Sequence, residues 1–298
     1  MVTLRVPATS ANVGPGFDAV GLALDLYNYV TITESEKFAI NISGEGAQDI
    51  ELGTDNIVYK AAQRVFDETG FKCKGLNIKL ENHIPVARGL GSSAAALVGG
   101  VMGANILSGS QLTKQKLLEI VTDIEGHPDN VAPALFGGLV TSTILDTGDI
   151  VWRKVELDRD WKFVVAIPDF TLSTKLSREA LPEQIPFTDA VYNISRVGLV
   201  VLAFQNRDLR LLGQIMEDCL HQPYRSALVP GMTEVLKKVK QQGRPVALSG
   251  AGPTVLAIAD FDKEAREIGK LMADTFAEHQ VNCLIQVLDP NNTGAEVI

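Results

Sequence analysis

The chain has 298 residues, 46% hydrophobic and 21% charged, which builds an ordinary globular core of one or two domains without disulfide or metal staples. A formal net charge of −9 excludes broad nucleic-acid binding, which needs a basic footprint, yet permits a small anion held by backbone amides. The longest weakly polar run, Ala94–Leu107, is too short to span a bilayer, and MVTLRVPATS lacks a signal peptide's apolar core, so a cytoplasmic protein without a membrane partner is expected. Leu4 and Val6 alternate as in a strand, and PATSANVGPG then reads as a turn. Leu26–Thr33 has strand composition. From Asp55 the period changes: Ile57, Val58, Ala61, Ala62, Val65 and Phe66 share a helical face that Gly70 closes. An alternating strand, Leu76–Leu80, leads through Pro85 and RGLGSS into a small-residue helix, AAALVGGVMGANIL.

A helix is predicted over Thr113–Glu125, then two strands, Leu139–Leu145 and Val151–Leu157, around a Thr147-Gly148-Asp149 turn. Phe163–Ile167 reads as a buried strand, and helical patterns dominate from Asp189 to Gln242. Strands at Pro245–Leu248 and Thr254–Ala259, a helix over Asp262–His279 and a strand at Asn282–Leu288 complete the chain. The order implies an α+β fold with helices on one face of a mostly antiparallel sheet, divided into residues 1–155 and 156–298.

Three glycine-bearing segments carry the chemistry. Gly89-Leu90-Gly91-Ser92-Ser93-Ala94 fits the loose GxGxxA pattern, but no acid follows about twenty residues on to hold a ribose, and GxxxxGK[ST] is absent. Two glycines ahead of a helix can still aim amides at a phosphate, with serine hydroxyls at the first turn and Arg88 as a countercharge. The same residues also suit a plain capped turn. Pro7–Asp18 and Ser249–Thr254 are the other two segments, and each alone could be an ordinary loop. Cys73, Cys219 and Cys283 have no CxxC spacing, and the four histidines form no HExxH pair, so no zinc site is expected.

Together PATSANVGPGFD, GLGSSA and SGAGPT, in that order along the whole chain, resemble the three motifs of the GHMP small-molecule kinases. EGHPDNVAPALFGG at Glu125–Gly138 and TKLSREALP at Thr174–Pro182 are similar to the branch that phosphorylates L-homoserine. The resemblance implies an N-terminal domain like the second domain of ribosomal protein S5 and a ferredoxin-like C-terminal domain. It also implies ATP, Mg²⁺, a homodimer, and γ-phosphoryl transfer to the side-chain hydroxyl of L-homoserine for threonine synthesis. By this resemblance Asn12, Asp18, His127, Asp129, Thr174, Arg178 and Arg225 face the amino acid. Asn56, Pro85, Arg88, Gly89, Leu90, Gly91, Ser92, Ser93 and Ala94 line the nucleotide side, Ser93 and Glu125 take the metal, and Ser249, Gly250 and Gly252 form the third motif.

Homoserine is a zwitterion, so acids for its ammonium and guanidinium for its carboxylate make chemical sense. Mevalonate has no ammonium to meet them. Asn130 stands where mevalonate kinase relatives carry an aspartate base; an amide cannot take the hydroxyl proton, so Asn130 is expected to position rather than to deprotonate. Two residues depart from the wider family: Ala251 replaces a common Ser or Thr, and Arg88 replaces a small residue. Another small alcohol as acceptor, a non-catalytic nucleotide sensor and a hydride-transferring enzyme are the competing readings.

Overall fold

The computed structural model describes Met1–Ile298. Strand β1 (Val2–Ala11) pairs antiparallel with β2 (Val20–Ser35), with a register shift at Pro7/Ala8. PATSA is therefore strand, and the turn expected there begins only at Asn12. The reason is crowding: Ala8, Thr9, Ser10 and Ala11 are all buried, and only small side chains fit a strand end enclosed on both faces. β4 (Gly75–Asn82) pairs with β2, and β3 (Ala39–Gly44) lies parallel to β4 at the edge. β5 (Leu139–Ile144) also pairs with β2, and β6 (Ile150–Val155) with β5. The short β11 (Glu296–Val297) returns from the chain's end to pair with β1.

Four helices cover this sheet. α1 (Ile57–Thr69) starts where the Asn56 side chain accepts from the Val58 N–H and stops at left-handed Gly70. α2 (Ser92–Leu107) buries eleven of its sixteen residues, so it is a core helix without a polar face. Gly99 and Gly103 let it press on β2: a Cβ at either would lie 2.5 Å and 2.7 Å from Val30 and Ile32. α3 (Lys114–Glu125) is capped by Thr113. α4 (Pro128–Phe136), which no periodicity in the sequence announces, uses Pro128 in its first turn and tolerates Pro133 within.

The second sheet has the order β10-β7-β9-β8, formed by β7 (Lys162–Pro168), β8 (Val246–Leu248), β9 (Val255–Ala259) and β10 (Cys283–Leu288), all antiparallel. With α9 (Met232–Gln241) and α10 (Asp262–Glu278) packed on it, this is the ferredoxin-like arrangement. The long helical stretch breaks into α6 (Phe187–Gln205), α7 (Leu209–Ile215), α8 (Gln222–Arg225) and a 3-10 turn at Ser226–Leu228 ahead of α9. α5 (Thr174–Glu179) precedes them. One core cluster of 55 residues runs from the first sheet to Trp161, Phe163, Phe204 and Leu212, so the two halves meet through packed apolar side chains.

Candidate active site

The loop between β4 and α2 faces the loops after β1 and β8 across a cavity of ≈ 350 Å³. At one end, Gly91 precedes α2 in the left-handed region, and no side chain caps the helix. The amides of Ser92 and Ser93 are left aimed outward, as an anion site needs. The two glycines are required by contact as well as by φ: a Cβ on Gly89 would lie 2.2 Å from the Ser249 carbonyl, and one on Gly91 2.0 Å from Thr9 Oγ1. Asn28 pins the loop, accepting from the His83 and Ile84 N–H groups at 2.9 Å each and donating to Ser92 Oγ at 3.3 Å.

The three glycine segments are tied to one another. Ser249 Oγ donates to the Gly89 carbonyl at 2.6 Å and accepts from the Ser10 hydroxyl at 2.8 Å; Asn12 Nδ2 donates to the Gly250 carbonyl at 2.8 Å. The Ala251 carbonyl accepts from Ser177 Oγ at 2.9 Å, so the fold uses the backbone at this position and the hydroxyl missing there is not needed to anchor α5. The Arg88 guanidinium turns to the Pro168 carbonyl at the end of β7, joining the loop to the second sheet. Ser93 Oγ donates to Glu125 Oε1 at 3.0 Å, placing two hard oxygen donors beside the free amides.

At the other end the wall is made of charged side chains. Asp18 accepts two bonds from Arg178, at 2.9 and 3.1 Å, and its own N–H donates to Asn12 Oδ1 at 3.1 Å. Asp129, only 2% exposed, meets His127 Nδ1 at 2.5 Å. Burial depresses the His127 imidazole, but the hydrogen bond to and the charge of Asp129 outweigh it and raise it above its ordinary value. Asp18, His127 and Asp129 bring ligand atoms within 4.8 Å of one another, the spacing of a metal site. The bidentate Arg178 and the His127 contact already balance both carboxylates, so this wall suits a zwitterion, which can exchange into such pairs, better than a second cation.

Arg225, 2% exposed, donates through Nε to the Ser177 carbonyl at 3.2 Å and through Nη1 to the Gly250 carbonyl at 3.0 Å. Nη1 also meets His221 Nδ1 at 3.3 Å, while Nη2 has no protein partner and Arg225 lines the cavity. Burial and the nearby Arg178 pull the guanidinium below its ordinary value. His221 is fully buried and pushed down to about 4, mainly by burial, with Arg225 adding to it against Asp218. A neutral ring fits its contacts: Nε2–H donates to the Gly14 carbonyl at 3.3 Å, and the bare Nδ1 accepts from Arg225. Phe17 stacks on this imidazole at 5.1 Å, with the guanidiniums of Arg225 and Arg178 at 5.3 and 5.9 Å from its ring.

Of the residues singled out in the sequence, Asn12, Asp18, His127, Asp129, Thr174, Arg178, Arg225, Asn56, Pro85, Arg88, Gly89, Leu90, Gly91, Ser92, Ser93, Glu125, Asn130, Gly250 and Gly252 all line the one cavity. Ala94 packs into the core instead, and Ser249 is a buried tie behind the wall. Both polar ends of Asn56 serve the local fold, one capping α1 and the other donating to the Glu51 carbonyl at 2.8 Å. Asn130 Oδ1 accepts from Thr9 Oγ1 at 2.9 Å, and its Nδ2 has no protein partner. Sequence reasoning misses Phe17, His221, Asp218 and Thr9. For His221 the available signal is its i, i+4 spacing to Arg225.

Residues 56–138 match the model of the GHMP kinase N-terminal domain and residues 200–278 that of the GHMP kinase C-terminal domain. The chain is 48% identical to a homoserine kinase of Moorella thermoacetica, over 100% of both chains. The chain belongs to the GHMP kinase family, in its homoserine kinase branch. A homoserine kinase of Natranaerobius thermophilus is 43% identical over 100% of this chain and 98% of its own. The crystal structure of homoserine kinase from Cytophaga hutchinsonii superposes with a TM-score of 0.90 at 30% identity, covering 100% of this chain and 97% of that one. This GHMP kinase thus has the two-domain α+β fold that the motifs implied.

Proposed function

We propose that the protein transfers the γ-phosphoryl group of ATP to the side-chain hydroxyl of L-homoserine, giving O-phospho-L-homoserine for threonine synthesis. The observation that supports this most is the polarity of one cavity. Free helix-terminal amides stand at one end, and two acids and two arginines at the other. Residues 1–155 would form the nucleotide part, and 156–298 would complete the acceptor wall with Arg178 and Arg225.

In this reading the amides of Gly89, Gly91, Ser92 and Ser93 hold the phosphates. Asp18 and Asp129 receive the ammonium, and Arg178 with the unpartnered Nη2 of Arg225 receives the carboxylate. Ser93 and Glu125 offer the hard oxygen donors that Mg²⁺ prefers, so the residues present fit it. Ser93 and Glu125 would hold the ion, which would supply positive charge to offset that of the phosphates. Asn130 orients through Nδ2 and cannot act as a base. The hydroxyl proton passes to a phosphate oxygen, directly or through water, and positioning with charge neutralisation carries the rate.

The test is ADP release with ATP and Mg²⁺ in the presence of L-homoserine, mevalonate, L-serine or no acceptor. Release with L-homoserine alone, lost on chelation, is expected. Turnover on mevalonate would mean that the two arginines do not read a carboxylate beside an ammonium. Nucleotide binding without turnover on any acceptor would favour a sensor.

A further inference from the structure

The loop between β1 and β2 is both buried and strained. Asn12, Val13, Gly14, Pro15 and Gly16 are all buried, so its backbone has to find polar partners inside the protein. Three of its non-glycine residues, Asn12, Val13 and Asp18, sit at φ of 71°, 41° and 54°. For β-branched Val13 that region is a true outlier, and such backbone persists only where its surroundings over-determine it. The same loop carries Asp18, the partner of Arg178 in the charged wall.

A buried amide holds it. α6 buries four residues, Asn193, Val200, Ala203 and Phe204, and Asn193 is the polar one. Its Nδ2 donates to the Pro15 carbonyl at 3.1 Å and to Asp218 Oδ1 at 2.7 Å, and its Oδ1 accepts from the Cys219 N–H at 2.9 Å. Both N–H donors are therefore used, one toward each neighbour. Asp218 accepts in turn from the N–H groups of Leu220, His221 and Gln222 at 3.0, 2.9 and 2.7 Å, which fixes the start of α8. α8 ends on Arg225. The Gly14 carbonyl, next to that of Pro15, takes His221 Nε2–H from the same cluster.

We infer that Asn193 is a positioning residue for the acceptor, setting the separation between the Asp18 loop and the Arg225 helix. It does not line the cavity and touches no reacting group. The inference rests on Asp18 and Arg225 receiving the two charged ends of homoserine. Those ends sit on one carbon, so the wall has to hold its acid and its guanidinium at one fixed spacing. An apolar contact between the loop and α8 could slide. Three directed bonds at full satisfaction define a single arrangement, and they do so across the two halves of the chain, 178 residues apart for Asn193 and Pro15.

Steady-state kinetics and amide hydrogen exchange of the full chain, with Asn193→Leu and Asn193→Asp, test it. Leucine keeps the branched shape and removes all three bonds; aspartate keeps the acceptor for the Cys219 N–H and removes both donors. Both variants should raise the KM for homoserine at least ~10-fold and leave the KM for ATP within about twofold. A merely structural role would lower the active fraction, and so kcat, without moving either KM; the split therefore holds however much of a variant folds. Exchange should quicken together over Asn12–Ala19 and Leu220–Arg225 and stay as in the wild type over β4. A homoserine KM within about twofold of the wild type in both variants, or exchange that quickens in only one of the two segments, would overturn the proposal. A wild type that does not turn over homoserine would overturn the assigned reaction instead, and the paired exchange would still decide whether Asn193 joins the loop to α8.

Discussion

The two ends of the cavity are built from different materials. The end proposed for the phosphates is backbone: Gly89 and Gly91 at positive φ, an uncapped helix terminus, and the Gly89 carbonyl tied by Ser249. The end proposed for the acceptor is side chain: two carboxylates and two guanidiniums, held by a layer of Phe17, His221, Ser177 and Asp218 behind them. The difference teaches where specificity can vary. An amide nest recognises any nucleotide phosphate and has little freedom of sequence, because a single Cβ destroys it. A side-chain wall can be rebuilt for another alcohol while the loop stays the same, and it fails by degrees.

Gly89→Ala is the sharpest way to break that contrast. The new Cβ would meet the Ser249 carbonyl at 2.2 Å, and both are backbone-fixed, so the loop has to move. Activity should fall by at least ~1,000-fold, through loss of positioning and of amide contacts together. Circular dichroism should stay native, since the clash and the strain of a left-handed alanine, about 1–2 kcal/mol for the latter, both fall on loop residues outside the helices and strands. Retention of more than a tenth of the activity would show that the loop is softer than its contacts imply.

A smaller and differently distributed effect is expected at the acceptor end. His221→Phe removes the acceptor for Arg225 Nη1 but keeps a ring against Phe17. The KM for homoserine should rise by ~10–30-fold, the size of one hydrogen bond to a charged group, with kcat and nucleotide affinity nearly unchanged. His221→Asn should recover part of it. The same histidine sets a pH dependence. Asp218, Arg225 and Asp18 face the ring, and burial with Arg225 keeps it neutral down to about 4. Between the ordinary value of 6.5 and about 4, the unfolded chain takes up a proton that the native state refuses. Stability therefore falls as pH drops through that window, by up to ~3 kcal/mol from this group. His221→Phe should flatten that slope in denaturant titrations; an unchanged slope would assign it elsewhere.

The same contrast explains what is readable in the sequence. The glycine segments are legible because a positive φ or a close approach leaves a mark in residue type at a fixed place, and helices such as α1 show their buried face in their period. The wall is less legible. Its charges come from β1's loop, α4, α5 and α8, and nothing local says that Arg178 will reach across to Asp18 160 residues away. α4 is hidden by its two prolines, β3 by its exposed edge and β11 by its two-residue length. PATSA looks like a turn because small polar residues serve turns and crowded strands equally. His221 looks like any loop histidine until Arg225 and Gly14 are seen on either side of its ring.

Asn130→Ala has the smallest expected effect, and it tests whether a base is hidden where the two ends of the cavity meet. Asn130 lines the cavity beside the glycine loop: Oδ1 takes the Thr9 hydroxyl, and a Cβ on Gly91 would lie 3.3 Å from that same oxygen. If orientation is its whole role, removing the amide loosens the loop and costs about one neutral hydrogen bond, so kcat should fall no more than ~10-fold. The pH dependence of kcat should keep its shape, because no titrating group is lost. Asn130→Asp separates the possibilities further. A carboxylate there keeps the Thr9 contact but adds negative charge beside the proposed phosphate site, so it should slow the enzyme more than alanine does. A gain in rate with this carboxylate variant would instead mean that proton removal limits turnover, and that a base rather than positioning is what this branch lacks.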